Sequence, residues 1–114
     1  MADQCLFCKI VSGVIPVEFV AQNEYAVAFR DIEPKAPVHL LIVPRTHIAG
    51  FHEIGTLSGD ELGGMLTLIN EVAKAQGLGD SGYRVITNIG SDAGQTVFHL
   101  HWHVLGGERL GGFA

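Results

Sequence analysis

The chain has 114 residues, of which 47% are hydrophobic, so it holds enough apolar material for one core of ordinary domain size. Its formal net charge is -5, and its seven Lys and Arg residues are scattered, which argues against a surface for polymeric nucleic acid. No secretory apolar segment follows the N-terminus, and no apolar run approaches the ~18 residues of a membrane span. We therefore expect one domain over residues 1–114 of a cytoplasmic protein that binds neither nucleic acid polymers nor membranes.

The first predicted elements are a short helix and a hairpin. Apolar residues recur at helical spacing over residues 5–12, and Gly13 follows in the position of a C-terminal stop signal. After Pro16 come two β-favouring runs, 17–21 and 25–30, which are joined by a polar stretch suited to a tight turn. The pattern predicts a helix followed by two antiparallel strands.

A third strand and a long helix follow. Two prolines in residues 31–37 exclude a central strand there, whereas residues 38–43 are rich in β-favouring side chains. Ser58, with Glu61 three residues on, forms a capping-box pattern, and one apolar face continues from there until Gly77. The sequence therefore predicts a strand and then a capped helix.

The last two predicted strands, 83–89 and 97–105, flank a loop of small residues at 90–96. Five strands in meander-like order with short connections favour antiparallel pairing rather than alternating βαβ units. We therefore predict an α+β fold with a five-stranded antiparallel sheet and two helices.

The last strand carries the most informative pattern, three histidines at strict period two. His99, His101 and His103 are predicted to share one face of the strand, and the apolar residues between them the other. Adjacent imidazoles would stand ~6 to 7 Å apart, near enough to act on one small substrate. The histidines could instead decorate a half-exposed strand, or all three could bind a metal. The glycine-rich run 88–96, whose backbone N–H groups could hold a phosphate, favours nucleophilic catalysis.

Two runs of sequence resemble a known family. NIGSDAGQTVFHLHWHVLGG, residues 88–107, resembles the signature of the histidine-triad (HIT) family, and FRDIEPKAPVHLLIVPRTH, residues 29–47, resembles the other half of that family's pocket. The third histidine and the VLGG continuation resemble the purine nucleoside phosphoramidase branch rather than the nucleotidyl-transferase branch, which places Gln after the second histidine. The resemblance spans nearly the whole chain and implies a HIT-like fold.

The resemblance also implies an activity, the hydrolysis of purine nucleoside 5'-phosphoramidates to nucleoside monophosphates. His101 would attack the α-phosphorus and form a covalent nucleotidyl-histidine intermediate, which water resolves. His103 would contact the phosphate or the leaving group, and His39 would join the same histidine network. The sequence does not identify the histidine that donates a proton to the leaving group. The alternatives are a dinucleoside polyphosphate hydrolase of the same family and a non-catalytic purine-nucleotide-binding interaction module.

The same resemblance implies the contacts to the nucleotide and a homodimer in which the capped helix and a strand meet their symmetry mates. Besides the triad, the residues implied are Asn88, Gly94 and Thr96 at the phosphate, Asp31 at the ribose hydroxyls, and Phe7, Ile10 and Ile32 around a purine. Thr96 stands where many relatives have Ser, and the tail 111–114 lacks the Trp ending of some relatives. Both departures bear on the choice of leaving group.

The only cysteines, Cys5 and Cys8, are one helical turn apart. This spacing suits two thiolates on one Zn2+, but it is also compatible with inert packing or with a redox pair. A redox motif would need a βαβ setting, which the pattern lacks. Among HIT relatives that carry this pair, the resemblance implies that His47 and His99 complete the zinc site. Such a Cys2His2 site would be structural, and the chemistry at His101 would need no metal.

Overall fold

The computed structural model describes residues 4–112, and a five-stranded antiparallel sheet with the strand order β1-β2-β3-β5-β4 lies at its centre. Along the chain the elements are α1 (Leu6–Ser12), β1 (Ala21–Gln22), β2 (Ala26–Arg30), β3 (Val38–Pro44), α2 (Gly59–Ala75), β4 (Tyr83–Ile86) and β5 (Trp102–Gly106). Short 3-10 segments at Phe51–Thr56 and Ser91–Ala93 lie in the connections. The predicted α+β fold, with its five antiparallel strands and two α-helices, is confirmed.

The sheet separates two apolar layers, because successive residues of β2 and β3 point to opposite faces. Ala26 and Ala28 face a layer that α2 covers, whereas Val27 and Phe29 face the layer that contains α1. The α1 layer is the smaller one, and its buried members are Phe7, Ile10, Val27, Phe29, Leu41 and Val43. The histidines discussed below lie on this second face.

Helix α1 has the ends that its sequence predicts. Cys5 is its N-cap, and the Cys5 sulfur accepts a hydrogen bond from the backbone N–H of Cys8 at 3.4 Å. Gly13 ends the helix in the left-handed region at φ 86°, and its N–H donates to the Ile10 carbonyl at 3.2 Å. Phe7 and Ile10 are buried against the sheet.

The predicted hairpin forms, but its first strand is shorter than expected. The Asn23 side-chain oxygen accepts hydrogen bonds from the N–H groups of Tyr25 and Ala26 at 2.8 and 2.9 Å, which closes the turn. Only Ala21–Gln22 of the predicted run 17–21 joins the ladder with β2. Val17 and Phe19 pack instead against the α1 layer. This segment therefore covers part of the core and is not a strand of the sheet.

Helix α2 begins at the predicted capping box and ends next to Gly77. The Glu61 N–H donates to Ser58 Oγ at 3.0 Å, and the Ser58 N–H donates to Glu61 Oε1 at 2.8 Å. One face of the helix is buried on the sheet through Met65, Leu68, Ile69, Val72 and Ala73. None of the helices formed by residues 4–112 is sufficiently long and apolar to cross a membrane.

The prediction of a strand over residues 97–105 was wrong at its start, and the prediction for 83–89 was wrong at its end. The β5 ladder begins at Trp102, and β4 stops at Ile86. Pro44, at the end of β3, has no N–H to offer a neighbouring strand. Its carbonyl is taken by the His99 ring at 2.9 Å, and the Leu100 N–H bonds to Ile48 instead. The alternation nevertheless persists, because Leu100 and Val104 lie in the α2 layer with Trp102 packed against it.

Candidate active site

His101 is held with one ring nitrogen occupied and the other free for chemistry. Its Nδ1 lies 2.8 Å from the backbone carbonyl oxygen of His99, so Nδ1 carries the proton and donates it. The Nε2 atom of a neutral ring then keeps its lone pair. The ring is only 9% exposed, and this burial lowers the pKa of His101, which favours the neutral form. Phe7 stands edge-on to the ring, with centroids 4.9 Å apart.

His103 and His39 form a hydrogen-bonded pair next to His101. The atoms His39 Nε2 and His103 Nδ1 are 2.9 Å apart, and the ring centroids of His103 and His101 are 5.2 Å apart. Asp31 Oδ2 lies 3.4 Å from His39 Nε2. Burial, followed by the proximity of His101 and His39, lowers the pKa of His103 to about 4, and burial also lowers the pKa of His39. Both rings are therefore neutral at pH 7.

A cavity of about 370 Å³ opens onto the rings of His101 and His103. It is lined by seven residues that the sequence predicted for the nucleotide, namely Phe7, Ile10, Asp31, Ile32, Thr96, His101 and His103. Ile32 is 95% exposed at its rim. The cavity also has an apolar wall that was not predicted from the sequence, formed by Ile15, Val17, Phe29, Leu41 and Val97. Leu41 follows His39 at period two on the same strand, a signal that could have revealed it.

A second cavity, of about 300 Å³, shares Asp31 and His103 with the first in its lining. Asn88 lines this cavity together with His39 and Lys35, and not the one that contains His101. Gly94 ends the 3-10 turn 91–93 in the left-handed region at φ 83°. It lines neither of the two cavities. The structure thus brings Thr96 into one cavity and Asn88 into its neighbour.

The glycine-rich loop is tied down by Gln95, a buried side chain that the sequence did not single out. Its Oε1 accepts a hydrogen bond from the Gly90 N–H at 2.8 Å. Its Nε2 donates to the carbonyls of Ala49 and Val97, at 2.8 and 3.2 Å. These bonds fix the path of the chain just before the histidines, because a buried amide is costly unless it is paired.

Cys5, Cys8, His47 and His99 converge at the N-terminal end of α1, with their ligand atoms all within 4.8 Å of one another. The Nδ1 atoms of the two histidines are 3.0 Å apart, and His99 Nδ1 is 3.4 Å from Cys5 Sγ. His47 Nδ1 is 3.3 Å from Cys8 Sγ. Around a tetrahedral Zn2+ with Zn–N of about 2.0 Å and Zn–S of about 2.3 Å, neighbouring ligand atoms stand about 3.3 to 3.8 Å apart. The cluster therefore fits such an ion.

Two further observations favour a metal over a redox pair at this cluster. His99 Nε2 donates to the Pro44 carbonyl at 2.9 Å, so the lone pair of His99 Nδ1 points at the sulfurs, as it would in a ligand. Burial and the neighbouring Cys5 raise the pKa of the Cys8 thiol to about 11. A reactive redox cysteine has a lowered pKa instead.

Comparison with known proteins agrees with this geometry. The HIT domain model matches residues 12–110. The purine nucleoside phosphoramidase of Escherichia coli strain K12 is 40% identical over 97% of this chain and 93% of its own length. The solved HIT family hydrolase of Clostridium thermocellum is 44% identical, with a TM-score of 0.90 over 97% of this chain and 96% of that one.

Another solved structure, a histidine triad protein from Clostridium difficile, is 41% identical with a TM-score of 0.89, and 96% of each chain is covered. Such similarity over nearly the full length exceeds what a shared fold alone requires. The resemblance drawn from residues 88–107 and 29–47 is thereby confirmed. This chain belongs to the HIT family.

Proposed function

We propose that this protein hydrolyses the P–N bond of purine nucleoside 5'-phosphoramidates through a covalent intermediate on His101. The observation that carries the proposal is the 2.8 Å hydrogen bond from His101 Nδ1 to the His99 carbonyl, which leaves the Nε2 lone pair as a nucleophile. The similarity to a phosphoramidase over nearly the whole chain supports the choice of substrate.

In the proposed reaction, His101 Nε2 forms a bond to the α-phosphorus while the P–N bond breaks and the departing nitrogen takes up a proton that comes from solvent. Water then adds its hydroxyl group to the phosphorus of the nucleotidyl-histidine and returns one proton to solvent. The bond between phosphorus and Nε2 breaks in this step, which releases the nucleoside monophosphate and restores neutral His101. His103, whose ring lies 5.2 Å from that of His101, is placed to donate a hydrogen bond to a phosphate oxygen or to the leaving atom.

The nucleoside would occupy the cavity of about 370 Å³ beside His101. Its apolar wall suits a purine ring, and the exposed Ile32 side chain would cover the base from the rim. The Asp31 carboxylate suits the ribose hydroxyls, although its Oδ1 already accepts a hydrogen bond from the Glu33 N–H at 2.8 Å. Thr96 and Asn88 line the two cavities that share His103, and both would contact the phosphate. We assign Gly94 the role of shaping their loop.

Turnover of two substrates by the wild-type protein tests the proposal. We expect kcat/KM for adenosine 5'-phosphoramidate to exceed that for a diadenosine polyphosphate by about 100-fold or more, because the similarity to a phosphoramidase over nearly the whole chain favours a substrate with one nucleoside. The reverse preference would favour the dinucleoside polyphosphate hydrolase. Binding of AMP without turnover of either substrate would favour an interaction module.

We further propose that Cys5, Cys8, His47 and His99 hold a structural Zn2+ that the chemistry does not need. When bound, such an ion cross-links α1 to the segments before β5 and after β3.

We also propose a cytoplasmic location, and we expect neither membranes nor nucleic acid polymers among the partners. The net charge of -5 supports the latter point.

We also propose a homodimer, in which β4 and α2 meet their symmetry mates. Strand β4 lies at the edge of the sheet, where Tyr83 and Val85 are 38% and 40% exposed. Val85 pairs with Val104, so it faces the same side of the sheet as α2. Leu66 on α2 is 50% exposed. We refer to these three exposed apolar residues on the α2 side of the sheet as the apolar strip of the proposed interface.

Replacing Val85 with glutamate is expected to separate the dimer, because a charge would be buried in the apolar strip. Light scattering should then give about twice the chain mass of 12.2 kDa for the wild type and the chain mass for Val85→Glu. Val14→Glu is the matched control, since Val14 is 71% exposed and follows α1, which packs on the opposite face of the sheet from α2. A wild-type protein that is monomeric, or a dimeric Val85→Glu protein, would contradict this interface.

A further inference from the structure

A backbone amide reaches into the histidine network from the turn between β2 and β3. The Lys35 N–H donates to His39 Nδ1 at 3.0 Å. A backbone N–H can only donate, so His39 Nδ1 must be the acceptor and hold no proton. The neutral His39 ring therefore carries its proton on Nε2. This assignment follows from one contact and does not depend on any substrate.

The position of the proton on His39 determines the position of the proton on His103. His39 Nε2, which carries the proton, lies 2.9 Å from His103 Nδ1, so His103 Nδ1 is again the acceptor. The proton of neutral His103 is then on its Nε2. His101 has the opposite arrangement, because its Nδ1 donates to the His99 carbonyl at 2.8 Å. The two rings that line the cavity thus present different groups, a lone pair on His101 and an N–H on His103.

The same contact argues against a metal at this group. Ligand atoms of Asp31, His39 and His103 lie within 4.8 Å of one another, which is close enough for a cation. A metal would need the lone pair of His39 Nε2, and the proton would have to move to Nδ1. The proton on His39 Nδ1 would then face the Lys35 N–H, and two hydrogen-bond donors would point at each other. The group is therefore better described as a hydrogen-bonded chain, with Asp31 Oδ2 at 3.4 Å from His39 Nε2.

The turn holds the Lys35 amide in place without help from the Lys35 side chain. Asp31 Oδ1 accepts a hydrogen bond from the Glu33 N–H at 2.8 Å, and the Asp31 N–H donates to the His39 carbonyl at 3.1 Å. The Lys35 side chain is exposed, and its Nζ donates to the Glu33 carbonyl at 3.3 Å. The amide is thus pre-organised by the fold of the turn.

We propose that the backbone N–H of Lys35 is a positioning group that fixes the tautomers of His39 and His103, so that His103 presents an N–H to the substrate. The chemical consequence rests on the proposed function. A phosphate oxygen accepts a hydrogen bond from His103 Nε2 while His101 Nε2 attacks the phosphorus. In the other tautomer, His103 would turn a lone pair toward an anion and repel it.

The tautomers can be read directly from two-bond 1H–15N correlations of the histidine rings in the wild-type protein. We expect His39 and His103 as the Nε2–H tautomer and His101 as the Nδ1–H tautomer. Lys35→Ala keeps the amide, so it should keep these tautomers, whereas Lys35→Pro removes the N–H and should mix them. We expect kcat/KM to be about tenfold lower in Lys35→Pro than in Lys35→Ala, the effect of losing one hydrogen bond.

A wild-type spectrum with His39 as the Nδ1–H tautomer would overturn the inference, and so would unchanged tautomers in a folded Lys35→Pro protein. Equal loss of activity in both variants would assign the effect to the side chain and would also overturn it. If Lys35→Pro does not fold, the wild-type spectrum decides. The expected tautomers in a protein that hydrolyses no phosphoramidate would refute the proposed function and leave the positioning role of the amide intact.

Discussion

Replacing His101 with alanine is expected to lower kcat/KM for adenosine 5'-phosphoramidate by about 10³-fold or more, since removal of a nucleophile eliminates the covalent route. Mass spectrometry of a rapidly quenched reaction should find a nucleotidyl adduct on the wild type and none on the variant. The variant should stay folded, because α1 and the sheet keep their apolar layer. Emission from Trp102, which packs against Phe51 and Met65 in the other layer, reports on that fold.

The matched control is His52→Ala. His52 is also a histidine, but it is exposed on the 3-10 segment 51–56, outside both cavities at the triad. Its replacement should change kcat/KM by less than about twofold, as surface substitutions usually do. A folded His101→Ala protein that retains wild-type turnover would show that His101 is not the nucleophile.

Removal of the proposed Zn2+ is expected to destabilise the protein strongly. An ion present at 1,000 times its Kd contributes about 4 kcal/mol to the free energy of unfolding. Its loss should lower Tm by roughly 15 °C in a domain of this size. Elemental analysis should give one zinc per chain, and a strong chelator should produce the fall in Tm. We expect kcat to persist, because the bond that orients His101 comes from the backbone of His99.

His47→Ala separates loss of the metal from other effects of the chelator. His47 is exposed, so its truncation leaves no buried void, yet it removes one of the four ligands. We expect the Tm of His47→Ala to match that of the chelated wild type and to be insensitive to chelator, whereas His52→Ala should respond like the wild type. An unchanged Tm on chelation would support inert packing of the cysteines. Loss of activity from a folded, chelated enzyme would place the metal in the chemistry.

Much of the fold could be predicted from local sequence patterns. The capping box at Ser58 and Glu61 and the stop at Gly13 predicted where helices begin and end, because capping depends on residues close in sequence. The period-two pattern placed Leu100 on the opposite face from His101, as the two apolar layers confirm. Patterns of this kind are set by the geometry of a single segment.

The pattern could not predict features that depend on distant partners. The start of β5 is set by Pro44, which lies 58 residues before Trp102 in the sequence and ends β3 without an N–H to offer. Cys5 Sγ lies next to His99 Nδ1, although the two residues are 94 positions apart in the sequence. Only the family resemblance suggested that they belong to one site. The Lys35 amide was missed for another reason. Its role depends on the path of a turn and not on the identity of a side chain.

His99 offers three polar atoms to its neighbours, and their contacts differ in what they require of the residue. Its two ring nitrogens face the cysteines and the Pro44 carbonyl, and both contacts need an imidazole. Its backbone oxygen accepts the bond from His101, and any amino acid could supply that oxygen. The proposed zinc cluster and the proposed nucleophile, His101, can therefore diverge independently in evolution. A lineage that loses Cys5 and Cys8 is free to replace the His99 ring by another side chain that fills the same buried volume, without reorienting His101.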